Sequence, residues 1–132
     1  MQLELDKRVV VVTGASKGIG FACATAFARE GATVVGVSRS AEALERARER
    51  LAAEGLAMAV VAADLRDADA ALAAVGEIEA TIGPIDVLVN SAGAARRYGP
   101  DELDAAAFRQ AMDAKYFTTV HMMEPVRSEE RR

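Results

Sequence analysis

The sequence predicts an α/β protein built on a doubly wound parallel sheet, and three observations indicate this class. Short β-branched runs alternate with longer amphipathic stretches, which is the pattern of βαβ units. Four such pairs follow one another, and their strand segments are almost uniformly apolar, as in parallel strands covered by helices on both faces. The length, 132 residues, is that of one domain with a core of its own.

The predicted strands are Val9–Thr13, Thr33–Val37, Ala57–Ala63 and Ile85–Asn90. Right-handed crossovers would place them in the spatial order 3-2-1-4, which is half of a complete doubly wound sheet. A ligand crevice is expected where strands 1 and 4 diverge. Strand 4 would lie at an open apolar edge, so we expect another chain, another copy or a further segment to cover it.

The helices are predicted from apolar spacing and from capping residues. The first carries an apolar stripe at helical spacing, formed by Ile19, Ala22, Cys23, Ala26 and Phe27. The second runs from a Ser40 cap to Gly55, and the third runs from Asp67 toward Gly83 and Pro84.

A fourth helix is predicted from about Asp104. Its inward face would contain Phe108, Met112, Thr119 and Met122. Pro125 is expected to end or kink this helix, because proline lacks the backbone N–H that helix continuation requires.

Net charge and the distribution of apolar residues exclude several classes of function. The net charge of −4 gives no electrostatic footprint for nucleic acid or an anionic membrane. No apolar run approaches the roughly 20 residues that span a bilayer, and the first residues lack the order of a signal peptide. A cytoplasmic protein is therefore expected. The single cysteine, Cys23, is predicted to be a small core residue.

The turn between the first strand and the first helix, "TGASKGIG", is the most informative segment. Its glycines, Gly14, Gly18 and Gly20, fit neither the G-x-G-x-x-G fingerprint, since Cys23 stands where the last glycine would be, nor a P-loop. Glycines here could serve turn geometry alone. A turn between a buried strand and a helix also lets backbone N–H groups approach an anion, which favours a phosphate ligand.

Three segments together resemble one family. "TGASKGIG", "AADL" at Ala62 to Leu65 and "NSAG" at Asn90 to Gly93 are similar to the T-G-x-x-x-G-x-G turn, the adenine-side aspartate and the N-N-A-G motif of classical short-chain dehydrogenases/reductases. The resemblance covers nearly all of residues 5–125. It implies a Rossmann-type NAD(P)-binding domain over residues 1–126, the N-terminal half of such an enzyme, followed by a charged tail over 127–132.

The resemblance also implies which residues surround the dinucleotide. The pyrophosphate and adjoining ribose would be bordered by Gly14, Ser16, Lys17, Gly18, Ile19 and Gly20. The adenine would lie beside Asp64 and Leu65. The end of strand 4 would contribute Asn90, Ala92 and Gly93, although Ser91 replaces the second asparagine of the family motif.

Cofactor choice can be argued from the end of strand 2. An NAD site usually offers an acid there to the ribose 2′-OH, but this chain has Ser38 and Arg39. Arg39 could bind a 2′-phosphate bidentately, and Lys17 adds a second positive charge. NADP(H) is therefore predicted over NAD(H). The alternative is that both cations are solvated surface residues.

Catalytic residues are not predicted in this chain. In the resembled family, hydride transfer uses a serine after the fifth strand and a Tyr-x-x-x-Lys pair on the fifth helix. Residues 1–132 contain neither segment, and neither Tyr98 nor Tyr116 is followed by a lysine at that spacing.

Two further polar residues leave alternatives open. Lys115 takes the position of the family's fourth-helix asparagine; it would join a proton relay near the nicotinamide or, as we favour, pack its stem and extend its ammonium to water. His121, the only histidine, is expected on a helix surface rather than in a metal site.

Two functions therefore stay open. In the first, the chain is part of an NADP-dependent oxidoreductase that acts on a carbonyl or alcohol. The substrate would then bind only if a catalytic half is supplied. In the second, the chain is a nucleotide-binding or interaction module that catalyses no reaction. For these residues alone we favour this second interpretation. Self-association through strand 4 and the fourth helix is expected in either case.

Overall fold

A computed structural model describes residues 3–93 and 97–130. Its centre is a parallel sheet of β1 (Val9–Thr13), β2 (Thr33–Ser38), β3 (Ala59–Ala62) and β4 (Val87–Val89). The strands lie in the order β3-β2-β1-β4, which confirms the predicted order. One row across the sheet joins Val60, Gly36, Val12 and Val89, so the ends of β1, β2 and β4 lie at one edge of the sheet.

Helices alternate with the strands. They are α1 (Gly18–Arg29), α2 (Ala41–Ala52), α3 (Ala68–Thr81), α4 (Ala105–Met112) and α5 (Thr118–Glu130). A 3₁₀ turn spans Pro100–Glu102, and a π-helical turn, Asp113–Phe117, joins α4 to α5.

Side chains cap three of these helices, at the predicted Ser40 cap and at Asp67 and Asp104, where helices were predicted to begin. The Ser40 hydroxyl accepts a hydrogen bond from the Ala43 N–H at 3.1 Å at the start of α2. The carboxylates of Asp67 and Asp104 do the same at the starts of α3 and α4. Each cap satisfies a backbone donor that the helix itself leaves unpaired.

The core has two layers, one on each face of the sheet. Alternate β1 residues point to opposite sides, so Val9 and Val11 pack with α3 and α5, whereas Val10 and Val12 pack with α1 and α2. The central strands β1 and β2 are buried almost throughout. The expectation that all strands would be buried is wrong for β3 and β4, which are edge strands with partly exposed side chains.

The predicted stripe of α1 is correct only in part: Cys23 and Phe27 pack against the core, whereas Ile19, Ala22 and Ala26 are exposed. The helix buries Gly20, Ala24 and Thr25, while Ile19 is 78% exposed. The close contact of Gly20 with the preceding turn directs the face that contains Gly20, Ala24 and Thr25 toward the sheet. Cys23 is half-buried against the α1–α2 side of the core, near its expected place.

The segment α4–α5 departs from the prediction at two points. Phe108 and Met112 are exposed rather than inward, because the π turn interrupts the regular helical spacing from which their face was predicted. Ala107 is the buried residue of α4, and after the π turn the buried residues are Thr118, Met122 and Val126. Of the two outcomes expected at Pro125, an end or a kink, the end is wrong, because the helix continues to Glu130.

None of the helices in the described ranges has the length and apolar character needed to cross a bilayer.

Candidate dinucleotide site

A crevice of about 430 Å³ opens at the edge of the sheet where the strands end. It contains every residue predicted for cofactor binding except Asn90: Gly14, Ser16, Lys17, Gly18, Ile19, Gly20, Ser38, Arg39, Asp64, Leu65, Ala92 and Gly93. The structure adds Ala63, Arg66, Ser91, Ala114 and Thr118 to its lining. Asn90 is exposed and does not line the crevice.

The turn after β1 requires glycine because of close backbone contacts at Gly14 and Gly20 and because of positive φ angles at Gly14 and Gly18. A Cβ on Gly20 would lie 2.0 Å from the Gly14 carbonyl oxygen, and one on Gly14 would lie 2.8 Å from the Ser91 oxygen. Gly14 and Gly18 also have positive φ angles of 65° and 59°. Nothing lies within 4 Å of the Cβ direction of Gly18, so the backbone there borders open space.

The amino end of α1 borders this space. Among the described residues no side chain caps it, in contrast to α2, α3 and α4, and its first turn has no acidic residue. The first-turn N–H groups therefore retain their hydrogen-bonding capacity beside the positive end of the helix dipole. This arrangement suits an anion such as a diphosphate.

Thr13 fixes the opposite wall of the crevice. Thr13 is buried, with 1% of its surface exposed. Its hydroxyl accepts hydrogen bonds from the N–H groups of Ser91 and Ala92, both at 3.0 Å. It donates to the Val89 carbonyl at 3.4 Å. One side chain thus ties the end of β1 to the loop after β4. Sequence reasoning missed this role, although a threonine directly before the turn was visible.

The outer end of the crevice is polar and charged. The hydroxyls of Ser16 and Ser38 lie 3.5 Å apart, and Lys17 and Arg39 are exposed beside them. Arg66 binds the Asp64 carboxylate through its Nη2 at 2.7 Å and its Nε at 3.0 Å.

The contact between Arg66 and Asp64 changes the pKa of the Asp64 carboxyl group. Hydrogen bonds from Arg66 lower the pKa of Asp64 from 3.8 to about 2, and the charge of Arg39 contributes in the same direction. Sequence reasoning missed Arg66, whose signal was a basic residue two positions after the predicted adenine-side acid.

The inner end of the crevice is formed by small residues. Ser91, Ala92 and Gly93 face Ala114 and Thr118 there. The π turn brings the last two to the wall, and the Thr118 hydroxyl donates to the Lys115 carbonyl at 2.9 Å. Neither was visible from the sequence, because a π turn has no reliable local signature.

His121 is not the surface residue that was expected. It is half-buried, and its Nδ1 lies 2.7 Å from the Leu65 carbonyl oxygen, which joins α5 to the loop after β3. The Phe117 ring lies 5.9 Å from its ring. The described part of the chain has no cluster of three metal-ligating side chains.

These residues fit an extended dinucleotide. The glycine turn leaves space for a diphosphate, the outer end offers hydroxyls and guanidinium groups, and the inner end has small side chains beside which a flat ring can lie. The sheet edge and strand order place the crevice where doubly wound proteins bind such ligands.

Comparison with known families agrees with this geometry. The family model described as short chain dehydrogenase matches residues 8–129. The chain belongs to this family. This is a family of oxidoreductases that bind an NAD(P) dinucleotide, and the chain has its Rossmann-like α/β fold.

Several family members are similar in sequence. The chain is 45% identical over 108 residues to galactitol 2-dehydrogenase (L-tagatose-forming) of Cereibacter sphaeroides, covering 82% of this chain and 41% of that protein. It is 47% identical over 87 residues to gluconate 5-dehydrogenase of Gluconobacter oxydans, covering 66% and 34%.

A solved structure extends the comparison. The chain superposes on L-sorbose reductase from Gluconobacter frateurii, complexed with NADPH and L-sorbose, with a TM-score of 0.89 and 29% identity. The superposition covers 99% of this chain and 50% of that one. The chain therefore spans half or less of the length of these relatives.

Proposed function

We propose that residues 1–126 form the NADP(H)-binding part of a short-chain dehydrogenase/reductase that acts on a carbonyl or alcohol. The observation that carries this proposal is the uncapped start of α1, where Gly14, Gly18 and Gly20 leave space beside backbone donors. In the proposed complex the diphosphate binds these N–H groups, and the adenosine side lies toward Ser38 and Asp64.

The preference for NADP(H) rests on charge at the outer end of the crevice. Ser38 stands where an acid would favour the ribose 2′-OH of NAD(H), and Arg39 follows it. The negative charge nearby, on Asp64, is paired with Arg66, so it opposes a 2′-phosphate less than a free carboxylate would. Lys17 adds a further cation on the same side.

Titration of NADPH and NADH by fluorescence and calorimetry tests this preference. We expect tighter binding of NADPH, and Arg39→Ala should remove about 1.5 to 3 kcal/mol of that preference, the usual contribution of a hydrogen bond to a charged group. Arg46→Ala, a change of an exposed arginine on α2 outside the crevice, is the matched control. Equal or tighter binding of NADH to the unmodified chain would refute the preference.

The chain's own residues bind and orient the dinucleotide in this proposal. A bound nicotinamide would supply or accept the hydride of carbonyl or alcohol interconversion. We assign no acid or base among residues 1–132, because neither Tyr98 nor Tyr116 has a lysine at the family spacing.

The alternative is a module that binds nucleotide without turnover. An assay of NADPH oxidation with mixed aldehydes and ketones separates the two functions. Binding without turnover would favour the module for these residues alone, and turnover would show that they carry a complete site.

We further propose that the chain self-associates through the exposed face of α4–α5 and the free edge of β4. Phe108, Met112, Tyr116 and Met123 are each about half exposed or more, and Phe117 packs edge to face on Tyr116 with centroids 5.2 Å apart. Exposed apolar surface of this kind marks contact sites.

Light scattering across a concentration series tests self-association. We expect a species larger than the monomer, which Phe108→Glu combined with Met112→Glu should shift toward the monomer. Leu72→Glu, at an exposed leucine on α3, is the control and should leave the distribution unchanged. A monodisperse monomer of the unmodified chain would contradict the proposal.

A further inference from the structure

Lys115 lies beside the inner wall of the crevice. A Cβ built on Gly93 would lie 3.5 Å from its Cδ and 3.6 Å from its Cε. The ammonium nitrogen is one bond beyond Cε. Lys115 itself is exposed and is not a lining residue, so an effect of its charge on the crevice would be exerted through space rather than by contact.

The polarity of the crevice identifies what this charge would act on. Ser38, Arg39 and Arg66 lie at one end, at or after the ends of β2 and β3, and α1 follows β1, which lies between β2 and β4, so the start of α1 lies between the two ends. If the phosphorylated ribose and the diphosphate occupy these positions, as in the proposed function on which this inference rests, the nicotinamide lies at the end formed by Gly93, Ala114 and Thr118. Within residues 3–93 and 97–130, Lys115 is a cation whose stem lies against that wall.

The nicotinamide ring is the part of the cofactor whose charge changes on reduction. NADP⁺ carries a positive ring and NADPH a neutral one, whereas the phosphates are the same in both. A fixed cation beside the ring repels the oxidised form and leaves the reduced form nearly unaffected.

We propose that Lys115 is an electrostatic specificity residue that biases the site toward the reduced coenzyme. It acts through the ring's charge and transfers no proton. The charge lies in a partly solvated site, so the expected effect on the ratio of the two dissociation constants is about three- to tenfold.

The test compares the dissociation constants of NADP⁺ and NADPH by calorimetry for the unmodified chain and for Lys115→Met. The methionine keeps a long apolar stem and removes the charge. We expect the ratio Kd(NADP⁺)/Kd(NADPH) to fall about three- to tenfold. Lys115→Arg should keep the original ratio, and Lys115→Gln should repeat the result of the methionine variant.

Lys17→Met is the matched control. Lys17 lies at the turn before α1, where the ligand charge is the same in both redox forms, so both dissociation constants should rise with the ratio unchanged. An unchanged ratio in both Lys115→Met and Lys115→Gln, with both coenzymes still bound, would overturn this inference and leave the proposed function intact. If neither coenzyme binds the unmodified chain, the proposed function fails and this inference fails with it.

Discussion

Gly20 packs so closely on Gly14 that a Cβ at Gly20 would lie 2.0 Å from the Gly14 carbonyl oxygen. The contact joins the first turn of α1 to the end of β1. It therefore sets both the orientation of α1 and the width of the turn that borders the crevice.

Gly20→Ala should consequently destabilise the fold. The added methyl group meets backbone that cannot move without shifting β1 or α1, so a loss of about 2 to 3 kcal/mol in the free energy of unfolding is expected. Urea denaturation measures it. Gly76→Ala is the matched control: Gly76 lies within α3, nothing lies within 4 Å of its Cβ direction, and alanine there should stabilise by about 0.5 to 1 kcal/mol. Equal effects of the two changes would contradict the steric account.

Thr13→Val should destabilise the loop after β4. Valine has nearly the same shape but cannot accept the hydrogen bonds of Ser91 and Ala92, so two N–H groups lose their partner. The expected cost is about 1 to 3 kcal/mol in the free energy of unfolding. Thr13→Ser retains the hydroxyl and should preserve much more of the stability, which chemical denaturation of the three proteins can compare. A valine variant as stable as the parent would rule out this role of Thr13.

The pKa of Asp64 should depend on Arg66. In the unmodified chain Arg66 holds it at about 2, and Arg66→Ala should raise it toward 3.8. Because the folded-state pKa is the lower one, the pair stabilises the fold above about pH 4, and this contribution is lost as the pH falls toward 2.

Carboxyl carbon chemical shifts followed by NMR across this range measure the pKa directly. The accompanying change in the free energy of unfolding should be small, since water screens a half-exposed pair. Arg48→Ala, which removes an arginine paired with Glu45 on α2, should leave the pKa of Asp64 unchanged. The same result for Arg66→Ala would show that another group lowers this pKa.

Ser40→Ala should weaken the start of α2. The change removes the acceptor of the Ala43 N–H, and caps of this kind contribute about 1 kcal/mol. Thermal unfolding measures the loss, and Ser40→Asp should restore most of it because aspartate can accept the same bond. If aspartate destabilises as much as alanine, the serine has a role other than capping.

The strand order and the position of the crevice could be predicted because both follow from local rules. Four βα units with right-handed crossovers allow few arrangements, and the glycine turn indicates which end of the sheet a ligand would approach. The Ser40 cap and the helix starts at Asp67 and Asp104 were equally local, since each depends on a side chain and the backbone two or three residues later.

The errors arose where contacts between distant residues, or an irregular helical turn, determine which side chains are buried. Ile19 fitted an apolar stripe by spacing, but the Gly20–Gly14 contact turns it outward to the crevice. Phe108 fitted an inward face until the π turn changed the spacing beyond it. The contact of His121 with Leu65 joins residues 56 positions apart, which no local pattern specifies.

The bare amino end of α1 has a consequence for detection. Its leading amides have no carbonyl partner within the helix, so their hydrogens should exchange readily with solvent deuterium. An arriving anion would occupy those same donors and slow the exchange locally. The exchange rates of the Gly18 to Gly20 amides would therefore indicate whether an anion is bound. The exchange rates at the capped starts of α2, α3 and α4 would change little.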